Sequence, residues 1–289
     1  MPFHSLPISA HLGSAERRLR KAGVDSPRLS AELLLAKVLN KSRLWVITHH
    51  DTPLDPSQTS AFSKLTDRRA TGVPMAYLLG SKEFFGLELS VTSDVLIPRP
   101  ETEVLLETAS TLWPRDENLV FVDVGTGSGA IGIGMAQLFP NSRGVLADLS
   151  LRALHVAHRN LVAHHLASRF SLTCSDLLSA IAPQSMQAVL SNPPYVSSVA
   201  YWNMSFEIRH FEPVQALWSG VHGTEIHVRL LRQARRTLQS GGWLCLEIAP
   251  DQSDVLLECL AENWPRDWTE VSIIQDWAGL DRVLRARRV

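Results

Sequence analysis

The chain has 289 residues, 45% of them hydrophobic and 20% charged, with a formal net charge of −1. That balance fits a globular protein of one large or two modest domains with ample core. No apolar run reaches the 18 residues that a membrane span needs, so none is expected. The N-terminus carries no secretory pattern: its first basic residue is Arg17, and no apolar stretch follows it. A mitochondrial presequence stays open, since residues 1–15 carry no acids but also no arginine. Cys174, Cys245 and Cys259 are scattered, with neither metal spacing nor an even disulfide set, so a reducing compartment, the cytoplasm, is expected. The charge is uneven. Residues 1–80 hold eleven Lys/Arg against six Asp/Glu, a net of +5, and residues 81–289 a net of −6. The basic part would suit RNA or an anionic partner, or equally a set of solvated helix faces.

Residues 9–79 read as helices. Ser26-Pro27 has the form of an N-cap followed by proline at the first helical position, with Leu29, Leu33, Leu34 and Val38 at helical spacing behind it. Asp55-Pro56 repeats the signal, with Phe62 and Leu65 as the inner face. Residues 82–97 change to a hairpin pattern around Gly86 and Ser93-Asp94. From residue 101 strands and helices alternate: helix 101–112, strand 119–124, helix 128–139, strand 143–147, helix 150–163, and strands near 170–174 and at 187–191. Helix 224–239, strand 242–248, helix 252–262 and strands near 269–274 and 281–287 complete the chain. The alternation predicts an α/β, doubly wound, mostly parallel Rossmann-like sheet preceded by a small helical domain. The expected divisions are 1–80 helical, 81–98 hairpin connector and 99–289 α/β.

The segment FVDVGTGSGAIGI (121–133) runs from a buried strand through Asp123, Gly125, Gly127 and Gly129 into a helix. Glycines allow a tight turn and close approach of a ligand, and the helix start offers free N–H groups. The next strand ends in Asp148, 25 residues after Asp123, where a carboxylate can accept both hydroxyls of a ribose. The third strand ends in Asp176, placed to accept from an adenine amino group; a helix-capping role for either acid is the alternative. Dinucleotide loops space their glycines as G-x-G-x-x-G, which differs from 125, 127 and 129. Asp123, two residues before the loop, also fits a ligand with an ammonium group, as S-adenosylmethionine has. A fourth strand runs into Asn192-Pro193-Pro194-Tyr195, a stiff extended stretch, because proline fixes φ and restrains the residue before it.

With DVGTGSG, Ala147-Asp148, Ser175-Asp176 and NPPY, the chain resembles class I S-adenosylmethionine-dependent methyltransferases. GVPMAYLLGSKEFFGLEL (72–89), LIPRPETE (96–103), FEP (211–213), LEIAPDQ (246–252) and GLDRVLRARR (279–288) are similar to one branch, the release-factor glutamine methyltransferases of the HemK/PrmC type. The resemblance spans essentially the whole chain. It departs at Ala249-Pro250, at His210 before FEP, and at Leu177 after Asp176.

The resemblance implies cofactor contacts at Asp123, Gly125, Thr126, Gly127, Ser128, Gly129, Asp148, Asp176, Leu177 and Asn192, with S-adenosylmethionine consumed and S-adenosylhomocysteine released. It implies catalytic and substrate contacts at Asn192, Pro193, Pro194 and Tyr195. The substrate implied is the glutamine of the Gly-Gly-Gln loop of class 1 peptide release factors, with the helical domain helping to dock the factor. A monomer is expected, with neither membrane nor direct nucleic-acid partner. Eleven histidines include His155 and His158 at helical spacing and the pairs His49-His50 and His164-His165, none in a ligand pattern, so no metal is expected.

The chemistry is consistent with Asn-Pro-Pro-Tyr. An amide nitrogen is a poor nucleophile because its lone pair is delocalised into the carbonyl. The Asn192 side-chain oxygen and the Pro193 carbonyl can each accept one N–H, drawing the lone pair out of the amide plane. The prolines keep the acceptors in place, and the Tyr195 ring can pack on the planar group. Arg99 fits either a cofactor contact or a pin for the hairpin, and Glu101 and Glu103 fit a helix start. Two other functions remain open on the residues alone. An amino-methyltransferase for an exocyclic amine of RNA or DNA would share NPPY but calls for a basic catalytic face. A non-catalytic cofactor-fold protein would be expected to lack an acceptor at position 192.

Overall fold

The computed structural model describes residues 6–289. Residues 1–5, with which the expected helical domain begins, lie outside the described residues. The described residues form two compact units, one running up to Ser81 and joined by 205–211, the other of residues 82–204 with 212–289.

In the helical unit, α1 (Ile8–Lys21), α2 (Pro27–Leu39), α3 (Arg43–Thr48), α4 (Pro56–Ala70) and α5 (Met75–Leu79) enclose Leu12, Leu19, Leu34, Leu35, Val46 and Phe62. α4 starts as its sequence predicts. Asp55 accepts from Gln58 N at 2.8 Å and the Gln58 side chain accepts from Asp55 N at 3.0 Å, a reciprocal cap. α2 differs from expectation. Ser26 sits at φ 49° and its hydroxyl caps nothing, so Pro27 alone marks the start. Leu29 is 40% exposed while Ala31, Leu34 and Leu35 are fully buried, so the inner face is rotated from the expected stripe. The unit also contains residues 205–211, where Phe206 lies against Gly72 and Arg69 pairs with Glu207 at 2.8 Å.

The second unit begins at Lys82, within the hairpin of β1 (Ser81–Phe84) and β2 (Leu87–Ser90), and continues with α6 (Glu103–Ser110). β3 (Val120–Val124), α7 (Ala130–Leu138), β4 (Arg143–Asp148), α8 (Leu151–Ala163), β5 (Phe170–Cys174) and β6 (Met186–Ser191) follow. An insertion then carries β7 (Val196–Ser197), α9 (Ser198–Asn203), α10 (Phe206–Phe211, in the helical unit) and β8 (Trp218–Gly220). The sequence pattern does not predict these elements, which are too short to show a period. α11 (Glu225–Thr237), β9 (Leu238–Glu247), α12 (Ser253–Asn263), β10 (Trp268–Gln275) and β11 (Asp281–Arg288) end the chain.

The seven-stranded sheet has the order β10-β11-β9-β6-β3-β4-β5. β3 pairs in parallel with β4 and β6, and β6 with β9, while β11 lies antiparallel between β9 and β10. This is the doubly wound Rossmann-like sheet that the alternation predicts. Both faces are covered, which is why strands such as Val120–Val124 read as apolar runs. Phe121, Leu146 and Leu190 pack with Leu105, Ile133 and Leu161 of α6, α7 and α8 on one face. Val122, Ala147 and Val189 pack with Leu230, Leu231 and Leu256 of α11 and α12 on the other. Among the described residues no helix is long and apolar enough to cross a membrane.

Candidate active site at the carboxyl ends of the central strands

The chain runs from β3 to β4 and β5 on one side, and from β6 to β9 on the other. The carboxyl ends of β3 and β6 therefore flank the switch point where open α/β sheets form crevices. A cavity of about 390 Å³ opens there, within the range usual for small-molecule sites. Its walls include Gly125, Thr126, Gly127 and Ser128 after β3, Asp148 at the end of β4, and Asp176 and Leu177 beyond β5. Asn192 and Pro194 follow β6, and Arg99, Thr102, Ile226 and Arg229 also belong to these walls. Of the residues expected at the site, Asp123, Gly129, Pro193 and Tyr195 are not among those that line the cavity.

The register explains the grouping. Val124 pairs with Ala147 on one side and Ser191 on the other, so Gly125 and Asn192 leave adjacent strands at one level. Gly125 N and Thr126 N both donate to Ala147 O, at 2.8 and 3.0 Å, turning the loop over the end of β4. The Ser191 hydroxyl donates to Val124 O at 2.6 Å. Gly127 has φ 56°, which favours glycine, and a Cβ there would meet nothing nearer than Gly125 O at 3.9 Å.

The carboxylates are held in different ways. Asp123 is wholly buried, and its Oδ2 accepts from the Thr126 hydroxyl at 2.5 Å and Gly132 N at 2.9 Å, while Oδ1 has no partner. Desolvation pushes its pKa up to about 7 against the pull of those two bonds. Asp148 accepts from Gly127 N at 2.9 Å through Oδ2 and from Ser150 N at 2.8 Å through Oδ1, and burial again raises its pKa. Asp176 pairs with Arg229 at 2.5 Å, a cation on α11 that the sequence reading did not single out.

Asn192 to Tyr195 belong to no strand or helix, and Pro193 is buried. Asn192 Nδ2 donates to the Thr102 hydroxyl at 3.0 Å. The Tyr195 hydroxyl donates to Glu247 Oε1 at 3.5 Å, and burial raises the phenol's pKa. The Tyr195 carbonyl accepts from Gln252 Nε2 at 2.9 Å, and the same nitrogen donates to Gly223 O at 3.1 Å. Arg99 pairs with the buried Glu212 at 2.5 Å, and Glu212 also accepts from Ile97 N at 3.2 Å, fixing the cavity rim. Glu103 accepts from Phe85 N at 2.9 Å, so it holds the hairpin, as Asn160 does through Ser90 N, Ser90 O and Ser128 O. Sequence reasoning missed the roles of Thr102, Asn160, Glu247 and Gln252. Glu247 and Gln252 lie in LEIAPDQ and Thr102 in LIPRPETE, but those segments assign them no role, and nothing in the sequence points to Asn160.

These residues fit an adenosyl sulfonium amino acid. Carboxylates at the ends of successive strands suit sugar hydroxyls and a cation, and Leu149, Leu177 and Ile226 offer apolar walls for a base. Cβ atoms at Gly125 and Gly127 would make only ordinary contacts, with Asn192 O at 4.0 Å and Gly125 O at 3.9 Å. The orphan Asp123 Oδ1 supplies an acceptor just beneath the loop.

Comparison with known proteins agrees in fold. The crystal structure of a methyltransferase from Pyrococcus furiosus, 20% identical, superposes with a TM-score of 0.51 over 72% of this chain and 91% of that one. The second unit thus has a Rossmann-like fold, and residues 100–207 match the methyltransferase small domain model. Residues 11–80 match the PrmC N-terminal domain model. Release factor glutamine methyltransferases resemble nearly the whole chain. The one from Koribacter versatilis is 37% identical over 95% of this chain and 96% of its own. That from Rhodopirellula baltica is 38% identical over 93% and 92%, and that from Nitratidesulfovibrio vulgaris 38% over 96% and 94%. The chain belongs to the release factor glutamine methyltransferase family.

Proposed function

We propose that the protein methylates the side-chain amide nitrogen, N5, of the glutamine in the Gly-Gly-Gln loop of class 1 peptide release factors, and so supports translation termination in the cytoplasm. The observation that carries this reading is Asn192. Its amide is tied through Nδ2 to Thr102 at the cavity wall, which leaves Oδ1 as an acceptor beside the glycine loop. A side-chain amide has two N–H groups, and the Asn192 oxygen with the Pro193 carbonyl offers one acceptor for each. Both bonds strengthen as the nitrogen gains positive character, so they favour the transition state over the ground state.

S-adenosylmethionine, when bound, supplies an electrophilic methyl group on its sulfonium. Asp148 would hold the ribose hydroxyls, Asp176 the adenine amino group and Leu177 the base. Residues 125–129 would cradle the amino-acid end, with Asp123 beneath them. Pro193 and Pro194 keep the acceptor carbonyl rigid, and Tyr195 braces the turn from behind. No strong base is needed before transfer, because the methylated nitrogen becomes acidic and sheds its proton afterwards. The helical unit would help to dock the factor, which the protein would meet as a monomer. The negative balance of residues 81–289 gives no support to a nucleic-acid amine as substrate.

The test is incubation with labelled methyl donor and purified release factor, carrying the loop glutamine or a substitute. Label is expected only with the glutamine present. Label that persists without it, or passes only to RNA or DNA, would overturn the proposal.

A further inference from the structure

Asp176 follows β5 in a turn that other elements hold. Ser175 N donates to Asp148 O at 2.9 Å, which ties the turn to the end of β4. Leu177 stands at φ 53°, in the left-handed region that residues other than glycine rarely adopt. The next amide, Leu178 N, donates to Gln233 Oε1 at 2.7 Å. Gln233 lies on α11 one turn beyond Arg229, and Arg229 Nη2 donates to Asp176 Oδ2 at 2.5 Å. Ile226 and Arg229, three apart on the same helix face, both line the cavity. One stripe of α11 therefore grips the turn at two points and supplies part of the wall beside it.

Folding stability does not account for the pairing. The side chains of Arg229 and Asp176 are 46% and 52% exposed, and an ion pair so open to water adds little to a fold. Helix capping does not account for Asp176 either. Among the described residues the one bond to its carboxyl comes from Arg229, and no backbone N–H meets it. What the pairing does is hold still a carboxyl at the cavity wall that would otherwise turn freely.

We infer that Arg229 is the positioning residue that gives the cofactor site its choice of base: by occupying Oδ2 of Asp176 it leaves Oδ1 as a single fixed acceptor for an exocyclic amine. The inference rests on the proposed placement of the adenine at Asp176. A carboxylate only accepts. Adenine presents the 6-amino group, a donor, beside N1, an acceptor. The deaminated base, hypoxanthine, presents O6, an acceptor, beside N1–H, a donor. A carboxyl free to swing can follow the donor from one position to the next and so tolerate either base. One clamped by the planar guanidinium cannot follow, and it confronts O6 with a second acceptor. The Gln233 bond to Leu178 N keeps the turn from shifting as a whole to relieve that clash.

The experiment uses the full-length wild type, Arg229→Met, Arg229→Lys and Asp176→Asn. Each is titrated calorimetrically with S-adenosylhomocysteine and with S-inosylhomocysteine, the same molecule carrying the deaminated base. The readout is the ratio of the two affinities, because a general loosening of the site weakens both probes alike and leaves the ratio where it was. The wild type is expected to prefer S-adenosylhomocysteine by about tenfold to a hundredfold. In Arg229→Met the preference should fall to about threefold or less. Arg229→Lys, a cation without the planar fork, should lie between the two. In Asp176→Asn, whose amide can donate to O6, the preference should vanish. A wild-type ratio in Arg229→Met, with that of Asp176→Asn altered, would overturn the inference alone. A wild type that does not discriminate, or a wild-type ratio in Asp176→Asn, would overturn the proposed placement of the adenine and the inference with it.

Discussion

Asp123 is wholly buried, and a single oxygen of its carboxyl holds two parts of the loop, the Thr126 hydroxyl and Gly132 N. Its other oxygen is unpartnered, and desolvation raises the folded-state pKa from 3.8 to about 7. Below the unfolded pKa the group is protonated in both states and costs the fold nothing. As pH rises toward and through 7, the folded protein must ionise a buried acid that the unfolded chain has already ionised, and stability is lost. In urea unfolding without cofactor, the wild type should lose on the order of 2–4 kcal/mol between pH 5 and pH 8, with Glu247 acting in the same direction. Asp123→Asn keeps an acceptor for Thr126 and Gly132, so its stability should fall less over that range; an unchanged slope would remove Asp123 as the cause. Asn192 sits at the opposite extreme, half-buried at the cavity wall, where the proposed acceptor role assigns its oxygen to chemistry rather than to folding. Asn192→Ala should lower kcat by about 100- to 1,000-fold while calorimetric titration shows cofactor binding within about threefold of wild type.

The turn from Asn192 to Tyr195 has no ladder of its own, so its shape depends on side chains sent from other elements. Gln252, at the start of α12, is 6% exposed and spans two carbonyls through Nε2, while its Oε1 accepts from Ala249 N at 3.1 Å. Gly223 is pressed against the same point: at φ 90°, a Cβ there would lie 2.7 Å from Tyr195 O. Gln252→Ala leaves both carbonyls buried without a donor, at about 1–3 kcal/mol each. Calorimetry should show Tm lower by about 3–8 °C, and the loosened turn should lower kcat more than it raises KM. Gln252→Glu, which keeps the Ala249 acceptor but cannot donate to the carbonyls when ionised, should resemble Gln252→Ala; wild-type kcat in both would show that the turn holds itself. Such cross-links explain the limits of the sequence reading. The strands around Phe121, Leu146 and Val189 are legible because both faces of the sheet are covered and the runs are continuously apolar. Gly125, Asp148 and Asn192 are legible because they end those strands. Asn160 is not, because it is one polar residue on the apolar face of α8, and nothing local says that it reaches Ser90 and Ser128. Gln252 and Thr102 are likewise defined by neighbours distant in sequence. The short elements between Val196 and Gly220 carry too few residues for any periodicity to show.

At the scale of the whole chain, the charge divides where the families of fold divide. Residues 1–80 carry a net +5 and residues 81–289 a net −6. The cavity lined by Asp148 and Asp176 also holds Arg99 and Arg229 and is sized for a small molecule, whereas a protein substrate has to be steered and held by something larger than the pocket. If the helical unit supplies that hold, its exposed cations should act on encounter and leave chemistry alone. Arg17 and Lys21 in the α1 region and Lys64 on α4 are exposed and lie far in sequence from the residues that line the cavity. Reversing all three to Glu should raise KM for the release factor by about three- to tenfold, with kcat and cofactor affinity unchanged. For the wild type the same KM should rise with added salt, because exposed charges are screened over about 10 Å at 0.1 M, and the triple variant should respond less. A KM insensitive to both the substitutions and salt would show that docking rests on apolar or backbone contacts, and would remove any role in factor recognition from the positive charge of residues 1–80.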